Sequence, residues 1–281
     1  MQLVDGLDHP EGVAFDPLTG CVYAGGEDGQ VYRVDLEGRT FEEVARAPGF
    51  VLGLAVDGVS RLVLCVSGNG SVCAVDDGQI VSLLAEVDGE PLILPNYPAF
   101  GSDGSLFFSD SGDWAANNGR VVRVDRDGQS EVFSRALDRF PNGCAVSRNG
   151  KWLWMVESFA PTLSRFDLGG ASSRPELVAR LDGTVPDGLA LTSEGGVLVS
   201  CYRPDCIYYL APDGTLEVVA QDPQGTLLSA PTNVCFVGEQ LDRVVSANLG
   251  RWHLTLLDLG LIGDAPHTPE RWALDAFLSL R

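Results

Sequence analysis

Six stretches of the chain begin alike, and one shared place in each holds the residues best suited to chemistry. The stretches are PEGVAFDPLTGCVYAGG from Pro10, VLGLAVDGVSRLVLCVS from Val51, PNYPAFGSDGSLFFSDS from Pro95, PNGCAVSRNGKWLWMVE from Pro141, PDGLALTSEGGVLVSCY from Pro186 and PTNVCFVGEQLDRVVSA from Pro231. Aligned, they put Gly12, Gly53, Tyr97, Gly143, Gly188 and Asn233 at equivalent positions. The residues just before these are Glu11, Leu52, Asn96, Asn142, Asp187 and Thr232. Glu11, Asn96, Asn142 and Asp187 offer carboxylate or amide oxygens, and no thiol or imidazole joins them. An oxygen set with two carboxylates suits a hard cation; Ca²⁺ fits best, with Mg²⁺, Mn²⁺ or Zn²⁺ as other occupants. Taken singly, an Asn or Asp before Gly is as readily a turn cap. Four at equivalent places favour a shared task, because buried carboxylates without a partner are costly.

The elements that must position these residues follow from the repeat. The equivalent positions are spaced by 41, 44, 46, 45 and 45 residues, a period that belongs to propellers and solenoids. Within the first repeat, short apolar or alternating runs at Gly12–Asp16, Cys21–Gly25, Gln30–Asp35 and Thr40–Ala45 are separated by Gly/Asp turns, the pattern of one four-stranded blade. The expected fold is therefore all-β, a six-bladed β-propeller of four-stranded blades. Blades start near 10, 51, 95, 141, 186 and 231, and a single propeller domain spans 1–281. The sixth repeat shows strands at Val234–Val237, Val244–Ala247 and His253–Leu259 but no obvious fourth. The N-terminal Gln2–Val4 is expected to supply it and close the ring. Residues 264–281 form a C-terminal tail, with a helical turn expected around Pro269–Phe277. Each inner strand of a propeller starts at the same end of the central channel, so the four oxygen-bearing residues should converge there.

Composition narrows the partners. The chain has 281 residues, 19 Lys+Arg against 39 Asp+Glu and a formal net charge of −20. Nucleic acid and anionic membrane surfaces would be repelled. With 45% hydrophobic residues the chain can bury a real core. No basic-then-apolar leader and no run of 18 apolar residues is visible. Seven cysteines, odd in number and without a Cys-x-x-Cys pair, read as buried free thiols of a cytoplasmic protein. The expected partner is a small molecule, and the expected state a monomer or weak homo-oligomer.

The motifs Pro10-Glu11-Gly12, Pro141-Asn142-Gly143 and Val185-Pro186-Asp187-Gly188, with GGVLVSCYRPDCIYYLAPDG over Gly195–Gly214, resemble the regucalcin (senescence marker protein)/gluconolactonase/luciferin-regenerating enzyme family of six-bladed propellers. The resemblance covers roughly residues 2–260. It implies that Glu11, Asn142 and Asp187 are metal ligands, with Asn96 a fourth ligand or a substrate contact. It also implies a metal-dependent lactonase, in which the cation polarises the carbonyl and a bound water attacks. Asp187 is then the general base, although coordination lowers a carboxylate's basicity and a second acid could serve. The alternatives are a phosphotriesterase- or lyase-type reaction at the same metal, or a non-catalytic ligand-binding propeller.

Substrate contacts are expected from Asn96 and Tyr97 and from the loops joining strands two and three: Gly25–Gly29, Ser67–Gly70, Ser109–Gly119, Glu157–Thr162, Tyr202–Cys206 and Asn248–Trp252. From these, Asp110, Trp114 and Tyr202 are the main candidates, with Asp113, Glu157, Arg203 and Arg251 beside them. Sugar-lactonase relatives carry Arg two residues before the blade-three Asn and Asp just after it. Leu94 and Tyr97 stand there in this chain, which favours a more apolar lactone or ester. His9, His253 and His267 have no metal-ligand spacing, and no Gly-x-Ser-x-Gly elbow is present. His9 lies two residues before Glu11, within reach of the site.

Overall fold

The computed structural model describes residues 1–170 and 173–279. Six antiparallel four-stranded sheets form the six blades of a β-propeller. In the first blade the strands are Val13–Phe15, Cys21–Gly25, Gln30–Asp35 and Thr40–Arg46, in that order from the axis outward. The inner strands of the next four blades are Val51–Val56, Pro95–Phe100, Pro141–Val146 and Val185–Leu191. The alternation of Gln30–Asp35 (QVYRVD) is that of a strand with one face in the core, and its burial follows suit. The turns work as their residues suggest: Gly128 and Gly214 sit at φ +88° and +89°, where a side chain would be strained.

The ring closes through its ends. The sixth sheet takes Val234–Val237, Arg243–Ser246 and His253–Leu257 from the last repeat and Gln2–Asp5 from the N-terminus. The pairing is antiparallel, with Gln2 opposite Thr255 and Asp5 opposite His253. Leu3, Val4 and Leu7 join Val13, Val245 and Leu254 in one apolar cluster, so closure buries side chains as well as completing a ladder.

The inner strands of neighbouring blades approach one another closely where the aligned position is glycine, as at Gly12, Gly53, Gly143 and Gly188. A Cβ on Gly143 would lie 2.6 Å from both the Asp187 carbonyl oxygen and the Gly188 Cα. Gly188 meets the Thr232 carbonyl oxygen in the same way, at 2.7 Å. The Gly of each Pro-x-Gly motif is therefore a spacing device between neighbouring blades.

The tail crosses the far end of the channel. Thr192 bridges Gly263, the Ser147 carbonyl oxygen lies 2.9 Å from His267 Nε2, and Gly58 N–H donates to the Pro269 carbonyl at 2.9 Å. Trp272 is fully buried against Phe100, and its Nε1–H donates to Asp57 Oδ2 at 2.8 Å. The helix expected around Pro269–Phe277 starts later, at Ala273, and runs to Ser279; residues 280 and 281 lie outside the described residues. Above this strap, an apolar cavity of about 120 Å³ lies along the axis between Tyr97, Cys144, Val234 and the segment Asp264–His267. Among the described residues no helix is long and apolar enough to cross a membrane.

Candidate metal centre

In four blades a β-bulge sets the candidate position apart from the rest of its strand. In blade four, Pro141 pairs with Glu157 and Cys144 with Met155, so Asn142 and Gly143 together face one residue, Val156. The same two-against-one count sets Asn96 and Tyr97 against Ser109, and Leu52 and Gly53 against Cys65. Asp187 and Gly188 face Ser200 alone. A bulge turns a side chain out of the alternation of its strand, and here it turns it into the channel mouth.

The resulting ring is buried: Glu11, Asn96, Asn142 and Asp187 are each less than a tenth exposed, and Asn233 is fully buried. Their polar atoms divide into two sets. Asn96 Nδ2 donates to Ser111 Oγ (3.0 Å) and Asn142 Nδ2 to Ser158 Oγ (3.2 Å). Asn233 Nδ2 donates to the Glu11 carbonyl (3.1 Å) and to Glu11 Oε2 (3.3 Å). Thr232 Oγ1 donates to the same Glu11 carbonyl at 2.7 Å. Four oxygens are left without a hydrogen-bond donor: Oδ1 of Asn96, Asn142, Asp187 and Asn233. A buried polar atom without a partner costs roughly 1–3 kcal/mol; those of Asn96, Asn142 and Asp187 lie at the aligned positions of three successive blades, whereas Asn233 Oδ1 packs against Gly188 of the neighbouring blade.

The charges agree. Burial pushes the Glu11 carboxyl well above its ordinary value, and the nearby Asp187 charge pushes it further. Burial likewise raises Asp187, only partly offset by the Asn142 amide. No Lys or Arg is among the groups acting on either carboxylate. Two buried carboxylates and converging amide oxygens fit a hard divalent cation, which would take up both the charge and the unpartnered oxygens.

The other expected residues are distributed around this ring. Tyr97 is buried in the channel on the side of the apolar cavity, and burial raises its phenol. Asp110 requires a correction, since it is fully buried with both oxygens in use. It accepts from the Ile93 and Leu94 N–H groups and from Arg120 Nε (2.9 Å), so it clamps the loop that delivers Asn96 and has no face for substrate. Glu157 does the same for Asn142 by accepting from Arg139 N–H at 2.9 Å. Trp114 is 72% exposed and meets Phe140 and Phe159 edge-on, at 5.2 and 5.0 Å between ring centres. Tyr202 is half-buried, with the Arg203 guanidinium 4.8 Å from its ring centre. His9 lies 3.1 Å from Asp8 and 3.3 Å from Glu27, in a small rim cluster. His253 and Arg251 lie at hydrogen-bond distance from the carbonyls of Leu227 and Gly225. The cysteines are free thiols, five buried and two half-buried.

Three residues of the site went unread in the sequence: Ser111, Ser158 and Asn233. The available signal was the recurrence of an acid followed by Ser, Asp110-Ser111 and Glu157-Ser158, at the end of strand two in successive blades.

Fold and ring define a six-bladed β-propeller with an oxygen-lined centre at one end of its channel. The chain belongs to the family described as the SMP-30/Gluconolactonase/LRE-like region, which matches residues 27–247. Among solved structures it is similar to a gluconolactonase from Xanthomonas campestris, at 22% identity and TM-score 0.76 over 91% of this chain and 89% of that one. It is also similar to regucalcin from Agrobacterium tumefaciens, a calcium-binding protein, at 17% identity and TM-score 0.73 over 94% of each. In sequence it is 26% identical over 228 residues to the protein strictosidine synthase-like 8 of Arabidopsis thaliana. That match spans 70% of this chain and 60% of the relative's length.

Proposed function

We propose that the protein is a divalent-cation-dependent hydrolase that opens a lactone, or a related ester, to the hydroxy acid, with Ca²⁺ as the preferred ion. The observation that carries this reading is the set of three buried oxygens with no donor, on Asn96, Asn142 and Asp187, together with the buried Glu11 carboxylate. When bound, the cation supplies Lewis-acid polarisation of the carbonyl and acidity to the attacking water. Glu11, Asn142 and Asp187 would hold it, with Asn96 as fourth ligand or as a donor to substrate. Asp187 takes the proton of the attacking water, since its Oδ1 has no hydrogen-bond donor to compete for it. Water adds to the acyl carbon, the ring C–O bond breaks, and the proton ends on the leaving alkoxide.

Family membership supports the reaction class, and the wall of the site supports an apolar substrate. Leu52 stands in the ligand ring, and Leu94 and Tyr97 flank Asn96 where a polyhydroxylated substrate would favour polar groups. The exposed Trp114, with Phe140 and Phe159, adds an aromatic surface beside the strand that carries Asn142. The test is a panel of lactones from sugar-type to alkyl-substituted, with Asn142→Ala and Asp187→Ala compared against wild type. Both variants should lose cation-dependent turnover, and full activity in either would refute the proposal.

A further inference from the structure

We infer that Ser111 and Ser158 are positioning residues that decide which atom of Asn96 and Asn142 faces the channel mouth. The inference rests on the cation reading above but concerns this chain's own hydrogen bonds. Each serine hydroxyl has one proton to give. Ser111 gives it to the Pro141 carbonyl and Ser158 to the Pro186 carbonyl, both at 2.7 Å. Toward its asparagine each hydroxyl can then only accept, so the amide must present Nδ2, and it does, at 3.0 and 3.2 Å; the Asn142 amide also reaches the Asp187 carboxylate, which holds it the same way round. Oδ1 is left pointing away from the serine, buried and without a donor. A flipped amide would set an oxygen against a hydroxyl oxygen whose proton is already committed, and would turn two N–H groups toward a cation.

The acceptors are not arbitrary carbonyls. Pro141 and Pro186 immediately precede Asn142 and Asp187, and each lies on the blade after the one that supplies the serine. The amide of one ligand is therefore oriented from the backbone that carries the next. The relay runs from Asn96 through Ser111 to blade four, and from Asn142 through Ser158 to blade five. Both serines are buried, so water does not compete for these bonds.

The consequence can be isolated by making orientation irrelevant. Removal of an outer partner of a metal ligand weakens metal binding by about 10- to 100-fold, and Ser158→Ala should weaken Ca²⁺ binding to that degree in wild type. In an Asn142→Asp background both terminal atoms are oxygens, so no choice between them remains. There the atom facing Ser158 is itself an oxygen that the committed hydroxyl proton does not serve, so Ser158→Ala should weaken affinity by less than about threefold or strengthen it. A serine that merely fills space would have the same effect in both backgrounds, and equal effects would overturn the inference.

The measurement is calorimetric titration of the full chain with calcium chloride alone, so no turnover is read. A second readout needs no cation and no variant. In metal-free wild type, NOEs should connect the Asn142 Hδ2 protons to Ser158 Hβ and the Asn96 Hδ2 protons to Ser111 Hβ; their absence overturns the inference. Calcium binding without hydrolysis of any lactone refutes the reaction and not the positioning. Wild-type protein that binds no Ca²⁺ refutes both.

Discussion

Gly143→Ala tests how tightly the fold sets the distance between the strands that carry Asn142 and Asp187. Gly143 does not sit at positive φ, so alanine meets no backbone strain and the effect is steric. Its Cβ would fall 2.6 Å from the Asp187 carbonyl oxygen, 2.6 Å from Gly188 Cα and 3.0 Å from Gly188 C, all of them backbone atoms that cannot rotate aside. Restoring an ordinary contact of about 3.4 Å from 2.6 Å needs a displacement of about 0.8 Å between the inner strands of blades four and five. Metal–ligand distances tolerate about 0.2 Å, so the shift should separate Asn142 from Asp187 by more than a cation site absorbs. Overpacking of this kind costs about 1–3 kcal/mol, with the upper part expected where only backbone is in contact. Cation affinity should fall by about tenfold or more, equivalent to about 1.4 kcal/mol. Urea denaturation gives the stability and calorimetry the affinity. Gly169→Ala is the control, since a Cβ there meets nothing nearer than 3.6 Å. A Gly143→Ala protein within about 0.5 kcal/mol of wild type and with unchanged Ca²⁺ affinity would refute the steric argument.

Two further outcomes follow from other parts of the molecule. Trp272→Ala should destabilise by about 3–5 kcal/mol in urea denaturation, because it empties a fully buried site under the propeller and frees Asp57 Oδ2 of one donor; a loss below about 1 kcal/mol would show that the tail does not hold the channel end. Asp222 accepts from the N–H groups of Thr226, Leu227 and Leu228, which hold its carboxyl well below the usual range. A depressed folded-state value stabilises above the unfolded value of about 3.9 and loses that stability as pH falls below it. The difference in melting temperature between wild type and Asp222→Ala should therefore be largest at pH 6–7 and shrink toward pH 3, and a difference that is constant or grows with acid would contradict the assignment.

The ring was legible in the sequence because its signals are periodic. Turn glycines and apolar runs recur with each blade, and a sixth blade lacking a fourth strand pointed to Gln2–Val4, which extends in the structure to Asp5. Glu11, Asn96, Asn142 and Asp187 could be gathered because equivalent positions in a propeller share one end of the channel. What escaped was set by geometry finer than the repeat. The bulges at Asn96, Asn142 and Asp187 each add one residue to one strand and leave no mark in composition. Ser111 and Ser158 look like ordinary residues at a strand end until the neighbouring blade's carbonyl is seen beside them. Asn233 lies one place beyond the position that carries Glu11, Asn96, Asn142 and Asp187, and reaches Glu11 only because Thr232 and Asn233 close the ring against the first blade. Asp110 read as a substrate contact because its blade-three loop is the longest; its buried pairing with Arg120, ten residues on, was invisible. The tail had no readable role because Trp272 meets Asp57 across 215 residues of sequence.

The central claim is that Glu11, Asn142 and Asp187, with Asn96 beside them, bind a cation needed for lactone hydrolysis. Proton release from a lactone panel, followed by pH-stat with protein stripped by chelator and then reloaded with Ca²⁺, tests it most directly. The account predicts that hydrolysis is lost on stripping and returns with about one cation per chain. Hydrolysis that survives complete removal of divalent ions, or none on any lactone with the cation bound, would contradict it.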